Sequence, residues 1–76
     1  MGAPVILDAK GLKCPLPVLK ARKAMRDVAQ GGVLRVIATD PGAVKDFEHF
    51  CKTTGHQLLA RHEEAGVLTF DIRKSG

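Results

Sequence analysis

Cys14 stands in the stretch Gly11-Leu12-Lys13-Cys14-Pro15-Leu16-Pro17, directly before two prolines and a helical pattern. Proline is tolerated in the first helical turn, where backbone N–H groups have no intrahelical acceptor. Pro15 is therefore expected as the first helical residue, Pro17 inside the first turn, and Cys14 at the N-cap. A sulfur there lies at the positive end of the helix, with Lys10 and Lys13 close by in sequence. It is expected to be biased towards thiolate, the nucleophilic form. An unperturbed thiol has a pKa of roughly 8.5, so the bias matters near neutrality. The prolines remove two first-turn donors and weaken the helix-end effect, leaving the N–H groups of Leu16 and Val18 to solvate the sulfur. They also stiffen the junction and hold the sulfur outward.

The other chemistry-bearing residues read as structural. Cys51 falls beside Phe47 and Phe50 on an apolar helix face, where cysteine packs as a small hydrophobe. His49, His56 and His62 lack the Cys-x-x-Cys or His-x-x-x-His spacing of a zinc site, so no metal is expected. Asp40 reads as a helix cap, and Asp8 as a residue that orients the loop before Cys14. No paired carboxylates poised for acid–base work are evident. Gly31-Gly32 reads as a helix stop, since no Gly-x-x-x-x-Gly-Lys follows.

The elements that must position Cys14 follow from periodicity. Val5-Ile6-Leu7 reads as a first strand and Asp8 to Lys13 as a loop. A helix is expected from about Pro15 to Val28, with Val18, Ala21, Met25 and Val28 as its buried stripe. Val33 to Ala38, nearly apolar throughout, reads as an interior strand. Asp40 and Pro41 start a second helix that runs to about Thr54, with Ala43, Phe47, Phe50, Cys51 and Thr54 on one face and Gly55 as its stop. Gln57 to His62 and Val67 to Ile72 read as a hairpin around a turn at residues 63–66; Leu68, Phe70 and Ile72 alternate as in a half-buried strand. The tail Arg73-Lys74-Ser75-Gly76 is expected to fray. The order βαβαββ packs most economically as an α+β two-layer sandwich, a mixed four-stranded sheet with two helices on one face.

Composition limits the function classes. A chain of 76 residues, 45% hydrophobic and 26% charged, is expected to form one globular domain, residues 1–76. The net charge of +4 favours acidic partners. Two cysteines are too few for a disulfide scaffold. Met-Gly-Ala-Pro-Val does not read as a signal peptide, and no apolar run approaches a membrane span. A cytoplasmic location with a free Cys14 thiol is expected. Lys20, Arg22, Lys23 and Arg26 read either as a solvated helix face or as a docking surface for an acidic partner protein. The scarcity of aromatic residues disfavours direct nucleic-acid binding.

The stretch from Leu7 to Pro17, with its Gly-Leu-x-Cys-Pro-x-Pro core, resembles the N-terminal signature of the TusA/SirA family of small sulfur-carrier proteins. Ala38 to Ala43 resembles the start of that family's second helix, Phe50 to Leu58 its end, and Ile72-Arg73-Lys74 its closing residues. The resemblance implies a two-layer α/β sandwich like the C-terminal domain of translation initiation factor three. It implies that Cys14 carries sulfane sulfur as a persulfide, without a metal or organic cofactor. It also implies a donor protein, a cysteine desulfurase or rhodanese-like, and an acceptor protein. The pathway would be tRNA thiolation, molybdenum cofactor assembly or sulfur oxidation. Such a protein is a carrier in a sulfurtransferase relay rather than a stand-alone enzyme. The alternative is a regulatory module that contacts an acidic protein or RNA without sulfur chemistry. A thioredoxin-type role lacks the second cysteine at Cys-x-x-Cys spacing.

Overall fold

The computed structural model describes residues 3–75; Met1, Gly2 and Gly76 lie outside the described residues. The elements are β1 (Val5–Ala9), α1 (Leu16–Ala24), β2 (Val33–Ala38), α2 (Ala43–Thr54), β3 (Gln57–Glu64) and β4 (Val67–Arg73). The sheet order is β1-β2-β4-β3. β1 and β2 are parallel, and β4 runs antiparallel to both of its neighbours. The architecture is the expected mixed-sheet α+β sandwich. β4 inserts between β2 and β3, so the second crossover joins strands of one direction that are not adjacent.

Strand alternation builds the core. Leu34, Val36 and Ala38 of β2 and Leu68, Phe70 and Ile72 of β4 are buried with Ala21 of α1 and Ala43, Phe47, Phe50 and Cys51 of α2. β2 is interior, yet only its alternate residues are fully buried, because helices cover one face of the sheet. On the other face Arg35 lies opposite Asp71 and donates two hydrogen bonds to its carboxylate, at 2.8 and 3.2 Å. Phe47 is the centre of the core: its ring lies 4.7 Å from that of Phe70 and 6.3 Å, edge-on, from that of Phe50.

Several boundaries differ from expectation. α1 begins at Leu16, with Pro15 at the N-cap and Pro17 at the second helical position. Cys14 therefore precedes the cap, and the Cys14–Pro15 peptide bond is cis. The helix ends at Ala24, and a 3-10 turn, Met25–Asp27, completes the stripe that buries Met25 and Val28. Gly31-Gly32 is not the helix stop. Its backbone pairs with the C-terminal segment: Gly31 N–H donates to the Lys74 carbonyl and Lys74 N–H to the Gly32 carbonyl, both at 2.8 Å.

That pairing also corrects the expected fraying of Arg73 to Ser75. Lys74 Nζ donates to the Val28 carbonyl, and Ser75 N–H donates to His56 Nδ1. β3 extends to Glu64, which shortens the hairpin turn to Ala65-Gly66. Gly55 stops α2 as expected, with φ +84° and its N–H on the Cys51 carbonyl. No helix among the described residues is long and apolar enough to cross a membrane.

Truncating a fully buried aromatic leaves a cavity and costs about 3–5 kcal/mol, comparable to the whole stability of a domain this small. Phe47→Ala is expected to remove most cooperative unfolding in a urea titration followed by circular dichroism. A loss below about 1 kcal/mol would show that Phe47 is not the core's centre.

Candidate functional site

Because β1 and β2 are parallel neighbours, their C-terminal ends lie side by side, with Ala9 in register with Ala38. The loops that leave them therefore meet. The loop after β1 folds back on itself: Lys10 N–H donates to Asp8 Oδ1 at 3.0 Å, and Leu12 N–H to the Ala9 carbonyl at 3.3 Å. Gly11 makes this turn with φ +82°, a conformation that a side chain would strain. Gly11 N–H then donates to Thr39 Oγ1 at 2.9 Å, and Cys14 N–H to Asp40 Oδ2 at 2.7 Å. Two consecutive side chains of the β2–α2 corner thus hold the cysteine loop.

The thiol completes the arrangement. Cys14 Sγ donates a hydrogen bond to Asp46 Oδ2, in the first turn of α2. Gly42 lies beneath the cysteine: a Cβ there would stand 3.5 Å from Cys14 Cβ. Cys14 is exposed and Cys51 is buried, and both are free thiols. Leu16 and Leu19, near Cys14 on α1, are about half exposed at 47% and 52%.

The electrostatics reverse the expected bias towards thiolate. The hydrogen bond to Asp46, then desolvation, then the charges of Asp46 and Asp40 all push the Cys14 thiol above its ordinary range. Leu16 N–H is directed to the Lys13 carbonyl at 2.8 Å rather than to the sulfur. The Lys10 ammonium stands 3.8 Å from the Asp8 carboxylate. Burial raises the thiol of Cys51, in keeping with a packing role.

A family model described as sulfurtransferase TusA matches residues 5–74. The chain is 55% identical over 69 residues to the sulfur carrier protein TusA of Allochromatium vinosum, covering 91% of each chain. It is 53% identical over 68 residues to the Pseudomonas entomophila sulfur carrier protein TusA, covering 90% of this chain and 85% of the relative. The chain belongs to the TusA family. A crystal structure of a SirA-like protein from Desulfitobacterium hafniense shares the fold, with a TM-score of 0.81 at 24% identity over 95% of this chain and 99% of that one.

Within this member of the TusA family, the residues singled out from sequence separate into groups. Gly11 and Cys14 meet at the tethered loop. Pro15 caps α1, while Pro17 is fully buried and anchors the start of the helix in the core. Lys10 and Lys13 belong to the loop, and Lys20 and Lys23 are exposed on α1. Arg22 stacks over the Phe50 ring at 5.4 Å. Arg22 and Arg26 line an open cleft of about 320 Å³ with Met25, Thr54, His56 and Lys74.

Asp40 was expected to cap α2, but its carboxylate is on Cys14 N–H and Gly42 occupies the N-cap. Asp46 and Thr39 were missed, as was the presence of a carboxylate in position for proton transfer. The available signal was topological: adjacent parallel strands bring the loops after them together.

Asp46→Asn replaces the charged carboxylate with a neutral and weaker amide acceptor, so the Cys14 pKa is expected to fall towards the ordinary value. The pH profile of iodoacetamide alkylation reads this directly, because only the thiolate reacts. The wild-type midpoint should lie on the alkaline side of the variant's. An unchanged midpoint would contradict the role given to Asp46.

Proposed function

We propose that this TusA-family chain is a sulfur carrier in which Cys14 accepts sulfane sulfur as a persulfide and passes it to an acceptor protein. The observation that supports this best is the exposed Cys14 thiol at the Cys-Pro-x-Pro motif, on a loop tethered at Gly11 and at Cys14 itself. Relay between proteins needs a sulfur that a second protein can reach and that keeps its position. Relatives across most of the chain's length bear the name sulfur carrier protein. A binding module without sulfur chemistry would leave this arrangement unexplained.

The donor is a cysteine desulfurase or rhodanese-like protein, and the acceptor a relay protein of tRNA thiolation, cofactor assembly or sulfur oxidation. The carrier works in a reducing cytoplasm, where both of its thiols stay free. Lys10, Lys13, Lys20, Arg22, Lys23 and Arg26 steer acidic surfaces of those partners towards the thiol. The exposed Leu16 and Leu19 give the same face an apolar contact beside it.

Incubation with a cysteine desulfurase and cysteine, followed by intact-protein mass spectrometry, is expected to add about 32 Da, one sulfur atom. Cys51→Ser should still gain it and Cys14→Ser should not. Retention of the gain in Cys14→Ser would sink the proposal.

A further inference from the structure

Cys14 must lose a proton whenever it takes up sulfur, and the structure places one side chain on that proton. Asp46 Oδ2 accepts the hydrogen bond from Cys14 Sγ. The second carboxylate nearby, Asp40, accepts from the Cys14 backbone N–H. The two acids therefore divide the work: Asp40 fixes the backbone and Asp46 addresses the sulfur. Asp46 projects from α2, an element anchored in the core by Ala43, Phe47, Phe50 and Cys51. Its position does not depend on the cysteine loop alone.

Resting on the carrier reading above, we propose that Asp46 is a catalytic residue of sulfur loading, the base that takes the Cys14 proton and returns it to the departing donor thiolate. Cys14 Sγ–H gives its proton to Asp46 Oδ2, and the sulfur attacks the outer sulfur of a donor persulfide, R–S–SH. A bond forms between Cys14 Sγ and that outer sulfur while the donor's S–S bond breaks, leaving R–S⁻. Asp46 then protonates R–S⁻. The sum is Cys14–SH plus R–SSH giving Cys14–SSH plus R–SH, with no net oxidation or reduction and no other reactant. In the absence of a donor, the carboxylate keeps Cys14 in its less reactive thiol form. Handing the proton over only as the new bond forms is how general bases act.

Other titratable residues lie on the elements that carry the pair. Asp8, Lys10 and Lys13 lie on the cysteine loop, Lys20 on α1, Asp40 on the β2–α2 corner, and Lys45 and His49 beside Asp46 on α2. Lys10 is engaged with Asp8. Asp40 is the other charge that bears on the sulfur, and it acts in the same direction as Asp46.

The two consequences of Asp46→Asn oppose each other, which makes the test decisive. If thiolate population alone set the rate, the variant would load faster than wild type near neutrality. With Asp46 as the base, it loads slower, by about tenfold or more. The probe is glutathione persulfide with the full chain, quenched and read by mass spectrometry between about pH 6 and pH 8. The donor persulfide's own ionisation affects all three proteins alike, so the readout is the ratio to wild type: for Asp46→Asn it is expected to climb about tenfold per pH unit with the thiolate, and for Asp46→Glu to stay more nearly constant. Circular dichroism of each variant establishes that it is folded.

A variant rate equal to or above wild type at pH 7 overturns the assignment of Asp46 while leaving Cys14 as the carrier residue. Failure of wild type itself to gain sulfur overturns the carrier reading. A folded Asp46→Glu whose ratio climbs like that of Asp46→Asn also counts against the base, since the carboxylate is retained.

Discussion

The β2–α2 corner and the first turn of α2 grip the cysteine loop through three hydrogen bonds, from Gly11 N–H to Thr39, from Cys14 N–H to Asp40 and from the Cys14 thiol to Asp46. Every other feature of the site depends on this grip. It exists because β1 and β2 are adjacent and parallel, so the loops leaving their C-terminal ends are neighbours. The grip also sets the state of the sulfur. A loop free of the corner would leave Cys14 near its own lysines; held against it, the thiol meets two carboxylates and stays protonated.

The core serves this corner. α2 carries both Asp46, half-buried in its first turn, and Phe47, the next residue and the centre of the apolar layer. One residue step along a helix turns the side chain by about 100°, so one residue faces the core while the other reaches the loop. At the start of α1, Pro17 is fully buried, while Leu16 and Leu19 of the same helix remain at the surface. Rigidity at the base and exposure at the tip are what a sulfur passed between proteins requires.

The elements were largely legible in the sequence because alternation and helical spacing record burial. Leu68, Phe70 and Ile72 announced a half-buried strand, and Gly55 announced a helix stop. Less visible were features settled by contacts between distant segments. Lys74 and Ser75 read as a loose tail, yet they pair with Gly31, Gly32 and His56. Asp40 had a sufficient local explanation as a cap, which hid its long-range bond to Cys14. The charge of the site went the wrong way for the same reason. Lys10 and Lys13 are near Cys14 along the chain, whereas the carboxylates that govern the sulfur lie 26 and 32 positions away.

The state of the sulfur turns on the thiol–carboxylate pair, and carbon-13 NMR observes both partners at once. In protein labelled at cysteine and aspartate, the Cβ of Cys14 should titrate above the ordinary thiol range, and the Asp46 carboxyl carbon should shift as it loses the hydrogen bond from the thiol. A Cys14 that titrates at or below the ordinary value, with Asp46 silent as it does so, would contradict the account.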